Sequence, residues 1–167
     1  MKTLKRRRLE FKTDYNKRIK LLKSQRPRIV FRRTNKYVIV QYVTSYEAQD
    51  KVELGLNSKI LLKYGWPESA KGSLKSISAC YLTGLLIGKL IISKKLTAPI
   101  VDLGMLRTNH KGKVYAFLKG LIDAGLEINC KEEAFPESTR ISGENLKNDI
   151  EFKKIKSKIE SIKWKMK

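Results

Sequence analysis

The residue types that carry chemistry are few in this chain and widely spaced. Metal-dependent phosphodiester hydrolysis needs several carboxylates converging on two ions, because both the attacking and the leaving oxygen must be stabilised. Asp102, at the end of an expected strand, is the best single candidate, and Asp123, Glu127 and Glu144 are the carboxylates that would join it. They form no local acidic motif, and helix-terminal or loop charges account for them better. His110 is the only histidine and has no evident orienting carboxylate, and no Ser/His/Asp or Cys/His spacing is recognisable. Cys80 and Cys130 lack CxxC partners, which excludes a Cys/His zinc site within one chain and suits a reducing compartment. Gly84 to Lys89 is a near miss to a phosphate loop: three residues rather than four separate the glycines, and Leu90 replaces the magnesium-binding hydroxyl. Binding, not catalysis, is the chemistry these residues suggest.

The residues that fit binding lie between positions 28 and 42. Arg28, Arg32, Arg33 and Lys36 supply charge, Asn35 and Gln41 offer amide donors and acceptors, and Tyr37 and Tyr42 offer flat faces. RNA recognition uses those ingredients. The competing reading is a half-buried hairpin with solvated arginines and core tyrosines. Strand alternation puts Tyr37, Ile39, Gln41 and Val43 on one face and Val38, Val40, Tyr42 and Thr44 on the other, so at most one tyrosine, Tyr37 beside the turn, is placed to stack.

Charge supports a polyanionic partner. The 167 residues include 37 Lys plus Arg against 16 Asp plus Glu, a formal net charge of +21, yet 41% are hydrophobic, enough for one cored domain without disulfides. The charge is uneven: +12 over 1–33, +4 over 34–150 and +5 over 151–167. A near-balanced body with cationic ends points to nucleic acid first and an anionic membrane second. The opening residues have the basic character of a leader but no apolar stretch after it, so a cytosolic protein is expected.

The elements that position these groups follow from periodicity. Residues 2–12 read as an arm that orders on its partner. A helix begins at Thr13, with Thr13 as N-cap and Asp14 in the first turn, carries Tyr15, Ile19 and Leu22 at helical spacing, and stops before Pro27. Strands over 28–33 and 37–44 form a basic hairpin, with 51–57 a third strand and a short helix after Ser58. The apolar, small-residue stretch over 73–95 reads as a buried helix. It approaches membrane-spanning length and contains Gly84-x-x-x-Gly88, but Lys75 and Lys89 lie within it. A short strand over 98–103, a polar loop over 104–112 and a helix over 114–124 closed by Gly125 follow. Residues 126–128 are expected to extend the sheet, and 131–143 to be irregular. Phe152, Ile155, Ile159, Ile162 and Met166 stripe a lysine-rich terminal helix. The element order favours helices packed on a mixed sheet, with 1–12 as the arm, 13–150 as one α/β domain and 151–167 as an extension. That extension could lie on a membrane, but a stripe packed on the body with lysines turned to RNA is the favoured reading.

Several segments together resemble one family. Arg6-Arg7-Arg8, Glu10, Lys12-Thr13-Asp14-Tyr15, Arg18, Leu21-Leu22, Pro27-Arg28, Arg32, Asn35-Lys36 and Gln41 resemble the opening of the archaeal and eukaryotic branch of universal large-subunit ribosomal protein eighteen. Gly65-Trp66, Tyr81-Leu82-Thr83-Gly84-Leu85-Leu86, Asp102-Leu103-Gly104, Leu118-Lys119-Gly120, Asp123-Ala124-Gly125-Leu126-Glu127-Ile128, Phe135-Pro136 and Arg140-Ile141-x-Gly143-Glu144 continue it in order. The length resembles the shorter, archaeal form, and the stretch after Asn145 lies outside the resemblance.

The resemblance implies a three-layer α/β body, a mixed sheet with helices on both faces in a ribonuclease H-like arrangement without nuclease activity, and hence no cofactor. It implies a structural part of the large subunit that docks on 5S ribosomal RNA in the central protuberance. It also implies contact with the large ribosomal RNA and with the universal large-subunit protein five. Asp102 would then be structural. The RNA-facing set is Lys2, Lys5, Arg6, Arg7, Arg8 and Lys12 of the arm, Tyr15 and Arg18, then Arg28, Arg32, Arg33, Thr34, Asn35, Lys36 and Tyr37. Arg107, Lys111 and Lys113 join it on charge and loop position alone. The alternatives are a metal-dependent nuclease on a related fold and a non-ribosomal RNA-binding protein.

Overall fold

The computed structural model describes residues 3–144 and 151–161. Arg28–Arg33 (β1) and Val38–Tyr46 (β2) pair antiparallel, with Ile29 opposite Tyr42 and Phe31 opposite Val40. Gln49–Asn57 (β3) joins β2, and Ile100–Asp102 (β4) joins β1 in parallel, giving the order β3-β2-β1-β4. The fold is therefore α/β with a four-stranded mixed sheet. Period-two alternation sends Ile29, Phe31, Val38, Val40 and Tyr42 into the core and leaves Val30, Arg32, Ile39 and Gln41 half-buried on the other face. A register shift between Tyr42 and Val43 interrupts this pattern, and Val43 is buried as well.

Two helices close the buried face. Ile77–Ser93 (α3) starts at Ser76, whose hydroxyl accepts from the Ala79 N–H at 3.2 Å, and is buried around nearly its whole circumference. Lys113–Asp123 (α4) ends where Gly125 takes a left-handed conformation, φ 107°. The glycines of α3 and α4 permit backbone contact: a Cβ on Gly84 would overlap the Phe117 carbonyl, and one on Gly120 the Tyr81 carbonyl. The rings of Phe31 and Phe117, 4.6 Å apart, tie α4 to β1. Gly84 and Gly88 thus serve close packing against Phe117 and Ala124, and among the described residues no helix is long and apolar enough to cross a membrane.

The other face carries only a light layer. Tyr15–Lys23 (α2) has no buried residue and reaches the body through polar contacts, Lys17 Nζ to the Gly104 carbonyl at 3.3 Å and Arg18 to Asp50 at 3.0 Å. Its N-cap is Asp14, which accepts from the Lys17 N–H, rather than Thr13; the Thr13 hydroxyl accepts from Arg7 instead.

Four expectations need correction. The arm contains one helical turn, Arg6–Leu9 (α1), although nothing in it is buried. The third strand starts at Gln49, not 51, because Glu47 and Ala48 both take positive φ, 47° and 65°, and close a two-residue hairpin without the Gly or Asn such a turn favours. Residues 126–128 do not enter the sheet: the Leu126 N–H bonds the Leu121 carbonyl and its side chain turns into the core. The stretch 131–143 holds a 3₁₀ turn, Glu132–Ala134, and a short helix, Ser138–Ser142 (α5), ended by Gly143. The terminal helix, Phe152–Glu160 (α6), buries Ile155 and Ile159 in the main core and sets Phe152 against Tyr81, with ring centres 5.6 Å apart. Ile162 and Met166 lie outside the described residues.

Candidate nucleic-acid interface

Charge alternates across the open face of the sheet. Arg28 begins β1 pointing to that face, and its side chain is only 2% exposed. It donates to Asp50 at 2.7 Å, to Ser45 at 2.9 Å and to Asp102 at 3.3 Å. Asp50 also receives Arg18 at 3.0 Å, and Asp102 receives Arg32 at 3.4 Å as well as the Gly104 N–H at 2.8 Å. The sequence is thus Arg18, Asp50, Arg28, Asp102, Arg32, with a buried cation at its centre and a partly exposed arginine at each end. Burying Arg28 without these two carboxylates would be prohibitive. This corrects the sequence reading: Arg28 is buried beneath the sheet face and not exposed on it.

Asp50 titrates accordingly. Burial favours its neutral form, but hydrogen bonds from Ser45 and Arg18 and the charge of Arg28 outweigh that and hold the carboxyl below its ordinary 3.8. A carboxyl lowered in the folded state adds stability above its unfolded pKa and loses it as pH falls through the folded value. Between about pH 5 and pH 2 the wild type should therefore lose more thermal midpoint than Asp50→Asn does. Parallel acid melting curves for the two proteins would contradict the pairing.

Apart from Lys2 and Lys111, the remaining sequence-derived residues fall into two groups. Arg7, Lys12, Arg18 and Arg32 gather around a depression between the arm, α2 and the β4 end, together with Lys17, which sequence reasoning left out. Lys5 sits 4.5 Å over the ring of Tyr15, and Arg6 and Lys12 pair with Glu10 at 2.9 and 2.7 Å. Arg8 is exposed beside them, and Lys2 lies outside the described residues.

The second group lies across the sheet, because Arg33 follows Arg32 in β1 and points the other way. Arg33, Arg107 and Lys113 adjoin a depression lined also by Phe31, Leu106 and Val114. At the hairpin turn the Thr34 hydroxyl donates to the Tyr37 carbonyl at 2.8 Å and accepts the Tyr37 N–H at 3.0 Å, which leaves Asn35 and Lys36 exposed at the tip. Tyr37 is half-buried, and Lys59 covers its ring at 4.4 Å. Tyr42 is a core residue whose hydroxyl meets Thr97. Lys111 stands apart from both groups, 3.6 Å from Glu137.

The carboxylates weighed for metal chemistry do not converge. Asp102 is engaged by Arg28, Arg32 and Gly104, while Asp123 accepts the Tyr81 hydroxyl at 2.6 Å. Among the described residues no three His, Cys, Asp or Glu side chains are grouped to hold an ion. The Cys80 thiol, pushed up to about 12 by burial, is a packing group. Asp50 and Lys17 were missed because nothing local marks them: Asp50 sits in a short polar stretch, and only folding brings it to Arg28, 22 positions away.

A family of ribosomal large subunit proteins, described as 60S L5 and 50S L18, matches residues 1–100. The chain belongs to that family. It is 43% identical to large ribosomal subunit protein uL18 of Korarchaeum cryptofilum over 141 residues, 84% of this chain and 70% of the relative. With the uL18 of Methanoregula boonei it shares 40% over 141 residues, 84% of this chain and 79% of the relative. The protein is thus an archaeal-type uL18 family member, a structural constituent of the large subunit that works on cytoplasmic ribosomes. Family membership gives the two basic groups a ribonucleoprotein setting, and the nuclease alternative is not favoured.

Proposed function

We propose that the protein binds 5S ribosomal RNA and helps anchor it in the central protuberance, touching the large ribosomal RNA and lying beside universal large-subunit protein five. The observation that carries this reading is the gathering of arm, α2 and β1 cations at one depression, on a protein of the large subunit. The RNA-facing set is the sequence-derived one without Arg28. Phosphate contacts made by the arm position the protein, while the exposed tip at Asn35 and Lys36 and the neighbouring Tyr37 supply selectivity. Within this reading 1–12 acts as the arm, 13–150 as the body and 151–167 as a lysine-bearing extension whose helix, Phe152–Glu160, packs on that body. A ribonuclease H-like arrangement of the body is part of the same proposal. Its support is the antiparallel β3-β2-β1 meander with a parallel β4 beside β1.

The test is affinity for 5S ribosomal RNA and for a scrambled RNA of equal length over a salt series. Each phosphate neutralised contributes a slope of about −0.7 to −0.9 in log affinity against log salt, so non-specific binding collapses as salt rises. A preference for the 5S molecule that persists at physiological salt supports the reading, and equal decline of both RNAs refutes it. Asn35→Ala should weaken 5S binding by roughly 3- to 10-fold, the loss of one or two hydrogen bonds, and scrambled-RNA binding by less. Equal losses on both RNAs would remove the tip from the specific contacts.

A further inference from the structure

Asp50 and Asp102 pose a question of sign. A carboxylate inside a cationic surface repels an RNA phosphate, yet each of these aspartates is shared between buried Arg28 and an arginine at the surface. Both surface arginines, Arg18 and Arg32, turn into the same depression, with Arg7 and Lys17 on its walls. Its volume, about 130 Å³, is close to the roughly 150 Å³ that holds one benzene-sized molecule, so it admits one small group and not a stacked run of bases. Five cations line it against two aspartates, Asp14 and Asp102, a net positive charge, while Asp50 stands behind Arg18.

The arginines are held, not free to sweep solvent. Arg32 donates to the Phe31 and Asp102 carbonyls, each at 2.9 Å, and to the Asp102 carboxylate. Arg18 donates one nitrogen to Asp50. A guanidinium has five N–H donors in a rigid fork, so orientation by a carboxylate on one edge leaves donors aimed elsewhere. Gly104 leaves space for this: at φ 58°, a Cβ there would stand 3.0 Å from the central carbon of the Arg32 guanidinium.

We propose that this depression is a cradle for one phosphate of the bound RNA, in which Asp50 and Asp102 act as positioning residues that hold Arg18 and Arg32 in gripping orientation. The cradle rests on the RNA-binding reading and adds to it a defined subsite. If the aspartates served only to neutralise Arg28, removing either charge would cost stability and leave RNA binding equal or stronger, because the surface becomes more positive. A positioning role reverses that sign.

The experiment compares full-length wild type, Asp50→Asn and Asp102→Asn for binding to 5S ribosomal RNA and to the scrambled RNA. Glu127→Gln, at an exposed acid away from the depression, is the charge control. Folding is monitored by far-UV circular dichroism. Each aspartate variant should bind both RNAs about 5- to 20-fold more weakly, as expected for loss of an aligned charge-assisted contact. The salt slope should stay within roughly one unit of wild type, since no cation is lost, and the control should bind equally or better. Binding as tight as wild type, or tighter, by folded Asp50→Asn overturns the cradle. That variant decides alone if Asp102→Asn does not fold, because the Asp50 side chain is already 33% exposed. Weakening of both RNAs without a wild-type preference for 5S would uphold the cradle and refute the 5S assignment, so the two failures are distinguishable.

Discussion

Removing residues 1–12 should lower affinity for 5S ribosomal RNA by about a thousand-fold at 50 mM salt and by only about four-fold at 200 mM. The segment brings Lys2, Lys5, Arg6, Arg7, Arg8 and Lys12 against a single acid, Glu10. Its pairs with Arg6 and Lys12 are surface pairs, which water screens and an incoming phosphate displaces easily. About five effective cations should therefore contribute about five phosphate contacts, and their loss should shrink the salt slope by about 4 units. Residues 3–12 are all exposed, so the truncated protein should melt within a few degrees of wild type. A truncated protein with the wild-type salt slope would show that the arm does not reach the RNA backbone.

Gly120→Ala should destabilise the domain by about 3 kcal/mol, the upper part of the range for overpacking a close-packed contact. In this chain length that lowers the thermal midpoint by roughly 6–12 °C. The new Cβ would overlap the Tyr81 carbonyl oxygen and stand 2.9 Å from the Leu85 nitrogen. Both are backbone atoms of α3, so no side-chain rotation relieves the clash, and the two helices must move apart through a core that includes Phe117 and Leu121. Intrinsic helix propensity works the other way, since alanine in a helix interior is favoured over glycine by about 1 kcal/mol. The sign of the change thus tells which effect wins. Gly72→Ala, where a Cβ meets nothing within 4 Å, is the matched control and should leave the midpoint nearly unchanged. A Gly120→Ala midpoint at or above wild type would mean that α3 and α4 do not touch through their backbones.

The two predictions concern parts of the chain that differ in how far sequence could describe them. The arm is legible because its property is composition: six cations without an apolar face cannot bury themselves, whatever the rest of the chain does. The β1–β2 hairpin is legible because alternation and a polar turn are local, and the buried character of α3 because its run of Leu, Ile, Ala and Gly has no polar side. Family resemblance was also legible, carried by short motifs spread from the arm to Glu144. By contrast, the turn at Glu47 and Ala48 escaped, since tertiary pairing of β2 with β3 imposes positive φ on residues that do not favour it. The helix over 138–142 escaped because five residues are too few to show a period.

The candidate site divides along the same line. Sequence alone determined that a strongly basic chain with an exposed arm and a basic hairpin meets a polyanion, because charge and short-range pattern belong to the residues themselves. Only the tertiary structure decided which basic residues are free to do so. Arg28 and Arg32 look alike in sequence, four positions apart on the same face of one strand. Folding places Asp50 and Asp102, 22 and 74 positions from Arg28, around Arg28, which the sheet buries; Arg32 is left at the rim with donors to spare. Burial and ion pairing are decided by chain segments distant in sequence, so no local pattern could distinguish the arginine that holds the fold together from the one left at the surface.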